Sequence, residues 1–174
     1  MLENDRIKLR SLEIGDVNLL YNWENDRTNW KISHTVTPYS KYVLSDYINS
    51  VTDVYSDKQL RLVIETKPDG IPVGTIDLFD CDFANRRAGI GILIADPENR
   101  GKGIGSEVLS ILIDYCFQVL NLHQIYCNVL LDNPNSIALF EKYGFKKIGV
   151  KKDWTLFEGN FYDEVLMQKI RENG

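Results

Sequence analysis

A glycine-rich segment near the middle of the chain is the part of the sequence best suited to chemistry. It reads Asn99-Arg100-Gly101-Lys102-Gly103-Ile104-Gly105-Ser106 and lies between an apolar strand-like stretch and a stretch with helical periodicity. Glycines let the backbone turn tightly enough for several N–H groups to point at one anion, and a helix start adds partial positive charge. Arg100 and Lys102 can add charge-assisted hydrogen bonds. The segment therefore predicts a phosphate-binding loop.

Two other glycine-loop motifs fit the segment poorly. A Walker loop needs a lysine after its last glycine, and the nearest lysine, Lys102, precedes Gly103. A dinucleotide fingerprint needs glycine where Ser106 stands, and it usually lies closer to the start of a chain. A glycine-rich turn without any ligand is the third interpretation, and the local letters leave it open.

A second segment lies about thirty residues further on, Asn133-Pro134-Asn135-Ser136-Ile137-Ala138-Leu139-Phe140-Glu141-Lys142-Tyr143-Gly144-Phe145. Its first letters equally predict a helix cap and first turn. Together the two segments resemble motifs of the Gcn5-related N-acetyltransferase (GNAT) superfamily, [QR]-x-x-G-x-[GA] and N-x-x-[SA]-x-x-x-[YF]-x-x-x-G-F. The resemblance spans nearly the whole chain, and it points to the ribosomal-protein and polyamine acetyltransferase branches.

The resemblance implies a site for acetyl-CoA as acyl donor. The backbone of Leu93, Ile94 and Ala95 would pair with the pantetheine arm between two strands that splay apart. The pyrophosphate would be held by the loop residues Arg100, Gly101, Lys102, Gly103, Ile104, Gly105 and Ser106. Asn133 would bond the pantetheine arm, while Ser136 and Phe140 would line the path of the cofactor.

The catalytic groups depart from the pattern of the family. Many relatives carry a tyrosine at the position of Phe140, where its hydroxyl protonates the leaving sulfur. Tyr143, three residues further on, is the predicted proton donor here, although it is equally suited to packing under the following turn. Polyamine-type relatives carry a glutamate where this chain has Gly89, which weakens a polyamine assignment. Asp77 and Asp80 are candidate bases acting through water.

The predicted reaction is direct transfer of an acetyl group to a primary amine, because the sequence shows no Cys-His or Ser-His pair. The acceptor is a small or polyamine-like amine or a peptide N-terminus. An aromatic-rich segment containing Trp23, Trp30, His34 and Tyr39 is expected to wall its pocket. A noncatalytic acyl-CoA sensor of the same fold remains the alternative, since Phe140 and Gly89 stand where reactive side chains often stand.

The hydrophobic patterns around these segments indicate alternating strands and helices. Strands are expected over residues 6–10, 60–66, 72–79, 87–95, 124–131, 147–157 and 161–168. Helices are expected from Ile14, from Val43 with Ser40 as cap, from Ile104 to about Leu120, and from Pro134. With the family resemblance, this predicts a mixed α/β GNAT fold: about seven strands flanked by helices, with a splay between strands 4 and 5.

Length and composition bound the remaining expectations. The 174 residues, 44% hydrophobic, predict one domain over 1–174. A net charge of −5 disfavours nucleic acid as partner, and no apolar run suggests a membrane span. The N-terminus shows no secretory signal, so a cytoplasmic location is expected. Three cysteines and two histidines without metal-type spacing predict no metal site. Association into a homodimer stays open.

Overall fold

A seven-stranded mixed sheet forms the centre of the protein in the computed structural model, which describes residues 2–172. The strands are β1 (Ile7–Ser11), β2 (Leu60–Thr66), β3 (Ile71–Asp82), β4 (Arg87–Ile94), β5 (Gln124–Leu130), β6 (Lys146–Phe157) and β7 (Asn160–Ile170). Their spatial order is β1-β2-β3-β4-β5-β7-β6. Only β4 and β5 pair in parallel; the other neighbours are antiparallel. The predicted α/β architecture is therefore confirmed.

Six α-helices accompany the sheet within the described residues. They are α1 (Val17–Glu24), α2 (Arg27–Ser33), α3 (Lys41–Ser50), α4 (Val54–Asp57), α5 (Ile104–Asp114) and α6 (Pro134–Lys142). A π-helical turn, Tyr115–Val119, continues α5. Ser40 caps α3 as predicted, because its side chain accepts a hydrogen bond from the Val43 N–H at 3.2 Å. No helix among residues 2–172 is long and apolar enough to cross a membrane.

The helices divide between the two faces of the sheet because successive strand residues point to opposite faces. On one face, Leu62 and Ile64 belong to the large core that includes Leu109 and Leu112 of α5. On the other face, Val63 packs in a smaller core with α1 and α3. The second core covers only part of its face, so the rest of that surface, next to β4, β5 and β7, is open to ligands.

Candidate active site

The splay between β4 and β5 is the first feature of the site. The two strands pair at Ala88 with Ile125 and at Gly89 with Tyr126, and the pairing stops there. Beyond that point the strands diverge and leave a cavity of about 90 Å³. It is lined by Ile32, His34, Ile90, Gly91, Ile92, Asn128, Val129, Leu130, Asn133, Ser136, Phe140 and Glu164. The predicted splay between strands 4 and 5 is confirmed.

The glycine-rich loop turns directly into α5 at one end of this splay. Gly101 and Gly103 have φ values of +74° and +83°, which L-residues with a side chain rarely adopt. Gly103 is the N-cap of α5, and no side chain caps this helix. A Cβ added at Gly103 would meet nothing within 4 Å, so the space above the loop is open. The exposed loop and the uncapped N–H groups of an eleven-residue helix fit a pyrophosphate.

Ile104 and Gly105 of the loop have packing roles. Ile104 is buried in the large core and anchors the start of α5. A Cβ at Gly105 would lie 3.3 Å from the Cδ2 atom of Leu139, so glycine allows α5 to approach α6 closely. Lys102 is exposed in the loop and is free to reach a phosphate. These residues shape the loop, and their contacts with acetyl-CoA remain predictions.

The side chain of Arg100 is exposed, but it folds back onto the protein and bonds to β4 and α2. Its Nε donates to the carbonyl of Ile94 at 3.0 Å, and one terminal nitrogen donates to Asn29 Oδ1 at 2.9 Å and to the carbonyl of Ala95 at 3.3 Å. Ala95 also donates its own N–H to Val73 at 3.0 Å. The Ala95 N–H is thus used within the sheet, its carbonyl can accept a second bond, and the contact of Ala95 with pantetheine stays a prediction.

Leu93 and Ile94 pair with β3, opposite Thr75 and Gly74 respectively. Neither residue belongs to the lining of the splay, which on β4 consists of Ile90, Gly91 and Ile92. On β4 the cavity thus lies beside residues 90–92, nearer the middle of the strand. Contacts of Leu93 and Ile94 with the cofactor stay predictions.

The N-terminal end of α6 forms the opposite wall of the splay. Asn133 caps this helix, since its Oδ1 accepts from the Ser136 N–H at 3.2 Å, and it also lines the cavity. Ser136 and Phe140 line the same cavity. The Phe140 ring is held edge-on against Phe145, with 5.0 Å between the ring centroids. All three residues lie where the resemblance to the family places them, and their bonds with acetyl-CoA remain predictions.

Tyr143 lies away from the splay, at the end of α6. Its hydroxyl is 2.8 Å from Ser106 Oγ, and Lys142 Nζ is 3.0 Å from the same oxygen. These contacts join the end of α6 to the start of α5, on the side of the phosphate loop. Tyr143 is not among the residues that line the splay. Its assignment as proton donor stays a prediction, and its observed bond gives it a structural role.

A larger cavity of about 660 Å³ adjoins the splay, and we call it the acceptor cavity. Its walls come from α2 and the segment after it, from β3 and β4, from Asn128 on β5, and from the β6–β7 hairpin. Trp30, Phe79, Trp154 and Phe157 supply aromatic surface. Six residues line both cavities: Ile32, His34, Ile90, Gly91, Asn128 and Glu164. The two cavities therefore meet.

Two of the four residues expected to wall the acceptor pocket do so. Trp30 and His34 line the acceptor cavity. Trp23 is buried in the smaller core instead, and Tyr39 bonds through its backbone to Asn25. An aromatic-rich segment thus divides between core and cavity, and the burial of each ring depends on how α1 and α2 are oriented.

Glu164 is the charged group at the meeting point of the cavities, and the sequence analysis missed it. It is 3% exposed, and its carboxylate accepts from Lys151 Nζ at 3.1 Å and from the Thr155 hydroxyl at 3.5 Å. Lys151 also donates to Asn128 Oδ1 at 2.9 Å. A buried carboxylate is retained only with such partners. The sequence around Glu164 gives little signal, because the strand is mixed and a second acidic residue, Asp163, directly precedes it.

The carboxylates considered from the sequence lie elsewhere. Asp77 accepts from Arg61 Nε at 2.6 Å and is held in this ion pair. Asp80 accepts from the Tyr126 hydroxyl at 3.5 Å and lines a separate cavity at the other end of β4. Neither lines the acceptor cavity. Nothing in their positions supports a role as base.

The position of Gly89 explains why this chain has no glutamate there. A Cβ at Gly89 would lie 2.2 Å from the Phe79 ring, which itself lines the acceptor cavity. The Phe79 ring also packs edge-on against Tyr126, with 5.8 Å between centroids. A side chain at position 89 would therefore displace an aromatic wall of the cavity.

The three cysteines are buried and free. Burial raises the pKa of Cys81 to about 11 and that of Cys116 to about 12, and it raises the pKa of Cys127 as well. All three thiols are thus protonated at neutral pH, which makes them poor nucleophiles. Among residues 2–172 no cluster of His, Cys, Asp and Glu is arranged to hold a metal ion.

Known proteins resemble this chain along most of its length. The family model described as Acetyltransferase (GNAT) domain matches residues 6–146. The spermidine N(1)-acetyltransferase of Vibrio cholerae is 30% identical over 161 residues, covering 92% of this chain and 90% of the relative. The enzyme of the same name from Escherichia coli is 29% identical, covering 92% and 84% respectively.

Solved structures agree with the sequence comparisons. The Vibrio cholerae spermidine N-acetyltransferase in complex with CoA and spermine matches with a TM-score of 0.86 and 29% identity over 96% of each chain. A dodecameric structure of the enzyme from the same organism matches with a TM-score of 0.82 and 29% identity, covering 96% of this chain and 95% of the other. The chain therefore belongs to the GNAT acetyltransferase family and is an N-acetyltransferase that uses acetyl-CoA as its acyl donor.

Proposed function

We propose that the chain acetylates a primary amine of a linear aliphatic polyamine such as spermidine. The observation that carries the proposal is the buried Glu164 carboxylate at the point where the splay and the acceptor cavity meet. An ammonium group is attracted to a carboxylate, and the aromatic walls of Trp30 and Trp154 suit the methylene groups of an aliphatic chain. Two relatives named as spermidine acetyltransferases support the same acceptor class.

Glu164 provides an alternative to the carboxylate that polyamine-type relatives carry at the position of Gly89. Position 89 has no room for a side chain because the Phe79 ring lies over it. Glu164 reaches the acceptor cavity from β7. The absence of a glutamate at position 89 therefore does not exclude a cationic acceptor.

The protein groups around Glu164 suit proton transfer from the amine. Acetyl-CoA supplies a thioester carbonyl carbon, which a neutral amine attacks. An ammonium acceptor must first lose one proton, and Glu164 is placed to accept it directly or through water. Lys151 bonds to one carboxylate oxygen, while the other has only the 3.5 Å contact with Thr155. That second oxygen is the one best placed to accept a bond from the amine.

Direct transfer without an acyl-enzyme remains the proposed route. When the amide forms, the C–S bond breaks and the amine nitrogen loses a second proton, which balances the proton that the thiolate takes up. A thiol pKa of about 8.5 makes the thiolate a tolerable leaving group without a dedicated acid. The buried cysteines, with their raised pKa values, are unsuited to carry the acetyl group.

An acceptor panel tests this proposal. We expect spermidine and spermine to give a kcat/KM at least tenfold above butylamine and above a peptide with a free N-terminus. The measurement is release of CoA thiol, with mass spectrometry of the acetylated product. Varying both substrates should give the intersecting lines of a sequential mechanism. Preference for the peptide, or turnover of butylamine equal to that of spermidine, would refute the polyamine assignment.

We also propose that the chain associates with copies of itself through β6. Apolar side chains on this edge strand that lie outside the acceptor cavity are exposed, with Ile148 at 56% and Val150 at 46%. Such a row at a sheet edge favours burial against another chain. A dodecamer of the Vibrio cholerae enzyme supports self-association. Light scattering on the eluted protein should show an assembly larger than 20.0 kDa; a monomer at micromolar concentration would contradict this.

A cytoplasmic location stays a prediction of the sequence.

A further inference from the structure

Arg100 lies at the start of the glycine-rich loop, yet its exposed side chain bonds to residues of β4 and α2. An arginine has five N–H donors. Three of them are used by the Ile94 carbonyl, the Ala95 carbonyl and Asn29 Oδ1. The guanidinium thus joins the end of β4 to α2. The two N–H groups of the other terminal nitrogen take no part in these bonds, so the bonds to β4 and α2 and a contact with pyrophosphate are distinguished by experiment.

Asn29 is the partner on α2, and it is only 1% exposed. Its Oδ1 accepts from Arg100 at 2.9 Å, and its Nδ2 has a long contact of 3.4 Å with the Trp23 carbonyl. A buried amide without partners destabilises a protein by about 1–3 kcal/mol. The bond from Arg100 is the shorter of the two side-chain contacts of Asn29, and Trp30 Nε1 adds a bond of 2.9 Å to the Glu24 carbonyl at this end of α2.

A third residue near the guanidinium supports the same geometry. Asp26 is the N-cap of α2, and its side chain accepts from the Thr28 N–H at 2.9 Å. The pKa of Asp26 is lowered, chiefly by hydrogen bonds from Thr28 and to a smaller extent by the positive charge of Arg100. Arg100 therefore lies close to the start of α2 as well as to Asn29.

The helix held in this way carries one wall of the acceptor cavity. Trp30, Lys31 and Ile32 directly follow Asn29 in α2, and all three line the cavity. A change of the position of α2 would move these side chains together. The link from Arg100 through Asn29 is thus a direct connection from the phosphate loop to the acceptor wall.

We infer that Arg100 is a positioning residue for the acceptor wall and not a ligand of the pyrophosphate. It fixes α2 against the end of β4, and so it sets the distance between Trp30 and the meeting point of the two cavities. The inference requires only that an amine binds in the acceptor cavity. It does not depend on that amine being a polyamine.

An acyl donor that lacks a pyrophosphate distinguishes a residue that positions the acceptor wall from one that binds the pyrophosphate. S-Acetylpantetheine carries the thioester and the pantetheine arm but lacks the nucleotide. We expect Arg100→Ala to raise the acceptor KM at least fivefold with acetyl-CoA and equally with S-acetylpantetheine, while the Kd of CoA changes by less than threefold. A pyrophosphate ligand would behave in the opposite way: its removal would weaken CoA binding and would have no effect with S-acetylpantetheine.

Matched variants keep the test decisive. Lys102→Ala removes an exposed charge of the same loop, so it should weaken CoA binding and leave the acceptor KM unchanged. Asn29→Leu should reproduce the acceptor defect of Arg100→Ala, whereas Asn29→Asp keeps an oxygen for the guanidinium and should restore the acceptor KM to within twofold. The double variant Arg100→Ala with Asn29→Leu should have an acceptor KM no higher than that of the more impaired single variant, because both substitutions remove the same link.

These outcomes also cover failure of folding and failure of the polyamine proposal. If Arg100→Ala does not fold, the comparison of Asn29→Leu with Asn29→Asp decides the inference. An unchanged acceptor KM in both Arg100→Ala and Asn29→Leu, or equal defects in Asn29→Leu and Asn29→Asp, would overturn it. The acceptor used is whichever amine the panel identifies, so a peptide preference would refute the polyamine assignment and leave this test intact.

Discussion

The phosphate loop and the acceptor cavity adjoin the same splay, but they are built from different parts of the chain. The loop is one continuous segment, residues 99–106, and the groups proposed to bind the pyrophosphate are backbone N–H groups at the start of α5. The acceptor cavity takes side chains from α2, β3, β4, β5, β6 and β7. One site therefore depends on local backbone conformation, and the other depends on how distant elements pack.

This difference determines which substitutions each site tolerates. Backbone groups survive most side-chain changes, so the loop should be sensitive chiefly where glycine permits a positive φ, at Gly101 and Gly103. The acceptor cavity has a single buried carboxylate, Glu164, whose Lys151 and Thr155 partners lie on the neighbouring strand. Loss of that one group should have a larger effect than most changes in the loop.

The largest expected effect is that of Glu164→Gln. This variant keeps the shape of the side chain but removes the charge and the ability to accept a proton. We expect the kcat/KM for the acceptor to fall by about 10²-fold or more, the usual scale for loss of a general base. The Kd of acetyl-CoA, measured by calorimetry, should change by less than threefold, since the loop is untouched.

Two controls separate chemistry from stability in this variant. Asp163→Asn removes the neighbouring carboxylate, which bonds to Lys152 at 2.7 Å, and it should leave turnover unchanged. Glu164→Gln combined with Lys151→Met removes both charges, so no buried cation is left without its partner. If the double variant regains wild-type turnover, Glu164 has only a structural role and the proposed base is wrong.

A smaller effect is expected for Gly103→Val in the phosphate loop. The φ of +83° disfavours valine, and the new side chain would occupy the open space above the loop. We expect the Kd of acetyl-CoA to rise at least tenfold, measured by calorimetry on the folded variant. The strained backbone should also lower stability, by about 1–2 kcal/mol.

Gly70→Val is the matched control for backbone strain. Gly70 has a φ of +65° in the β2–β3 turn, and a Cβ there also meets nothing within 4 Å. This variant should lose stability to a similar degree and keep its affinity for acetyl-CoA. Equal affinity for acetyl-CoA in both variants would mean that the loop does not bind the pyrophosphate.

The fold was predictable where one segment carries the whole signal. The β2–β3 hairpin has apolar strands around the turn Lys67-Pro68-Asp69-Gly70, and α5 keeps a helical period that buries Val108 and Leu112. Two short helices were missed. The seven residues of α2 and the four of α4 are too few to show a period, and tertiary contacts such as the Arg100–Asn29 bond hold α2 in place.

The candidate site divides in the same way. The glycine-rich turn into α5 and the Asn133 cap of α6 were predictable because each depends on neighbouring residues and on backbone geometry. Glu164 was missed because its role depends on Lys151, which lies opposite it on the neighbouring strand, and on a cavity formed by distant elements. The bond from Arg100 to Asn29 was missed for the same reason, since the two residues lie 71 positions apart in the sequence.

The smallest expected effect is that of Tyr143→Phe. It tests whether the proton donor lies beside the phosphate loop, where Tyr143 is, or in the splay, where Phe140 is. The Tyr143 hydroxyl bonds to Ser106 Oγ at 2.8 Å, beside the phosphate loop, whereas Phe140 lines the splay without a hydroxyl. Because a thiolate leaves without strong assistance, we expect Tyr143→Phe to change kcat by less than tenfold, with a modest loss of acetyl-CoA affinity through the loop.

Phe140→Tyr would place a hydroxyl in the splay and should raise kcat severalfold. A kcat reduced about 100-fold in Tyr143→Phe, with unchanged acetyl-CoA affinity and a normal melting temperature, would instead establish Tyr143 as the donor. That result would require the hydroxyl to leave Ser106 during turnover, and Ser106→Ala would then keep a normal kcat, because the bond it removes would not be needed for catalysis.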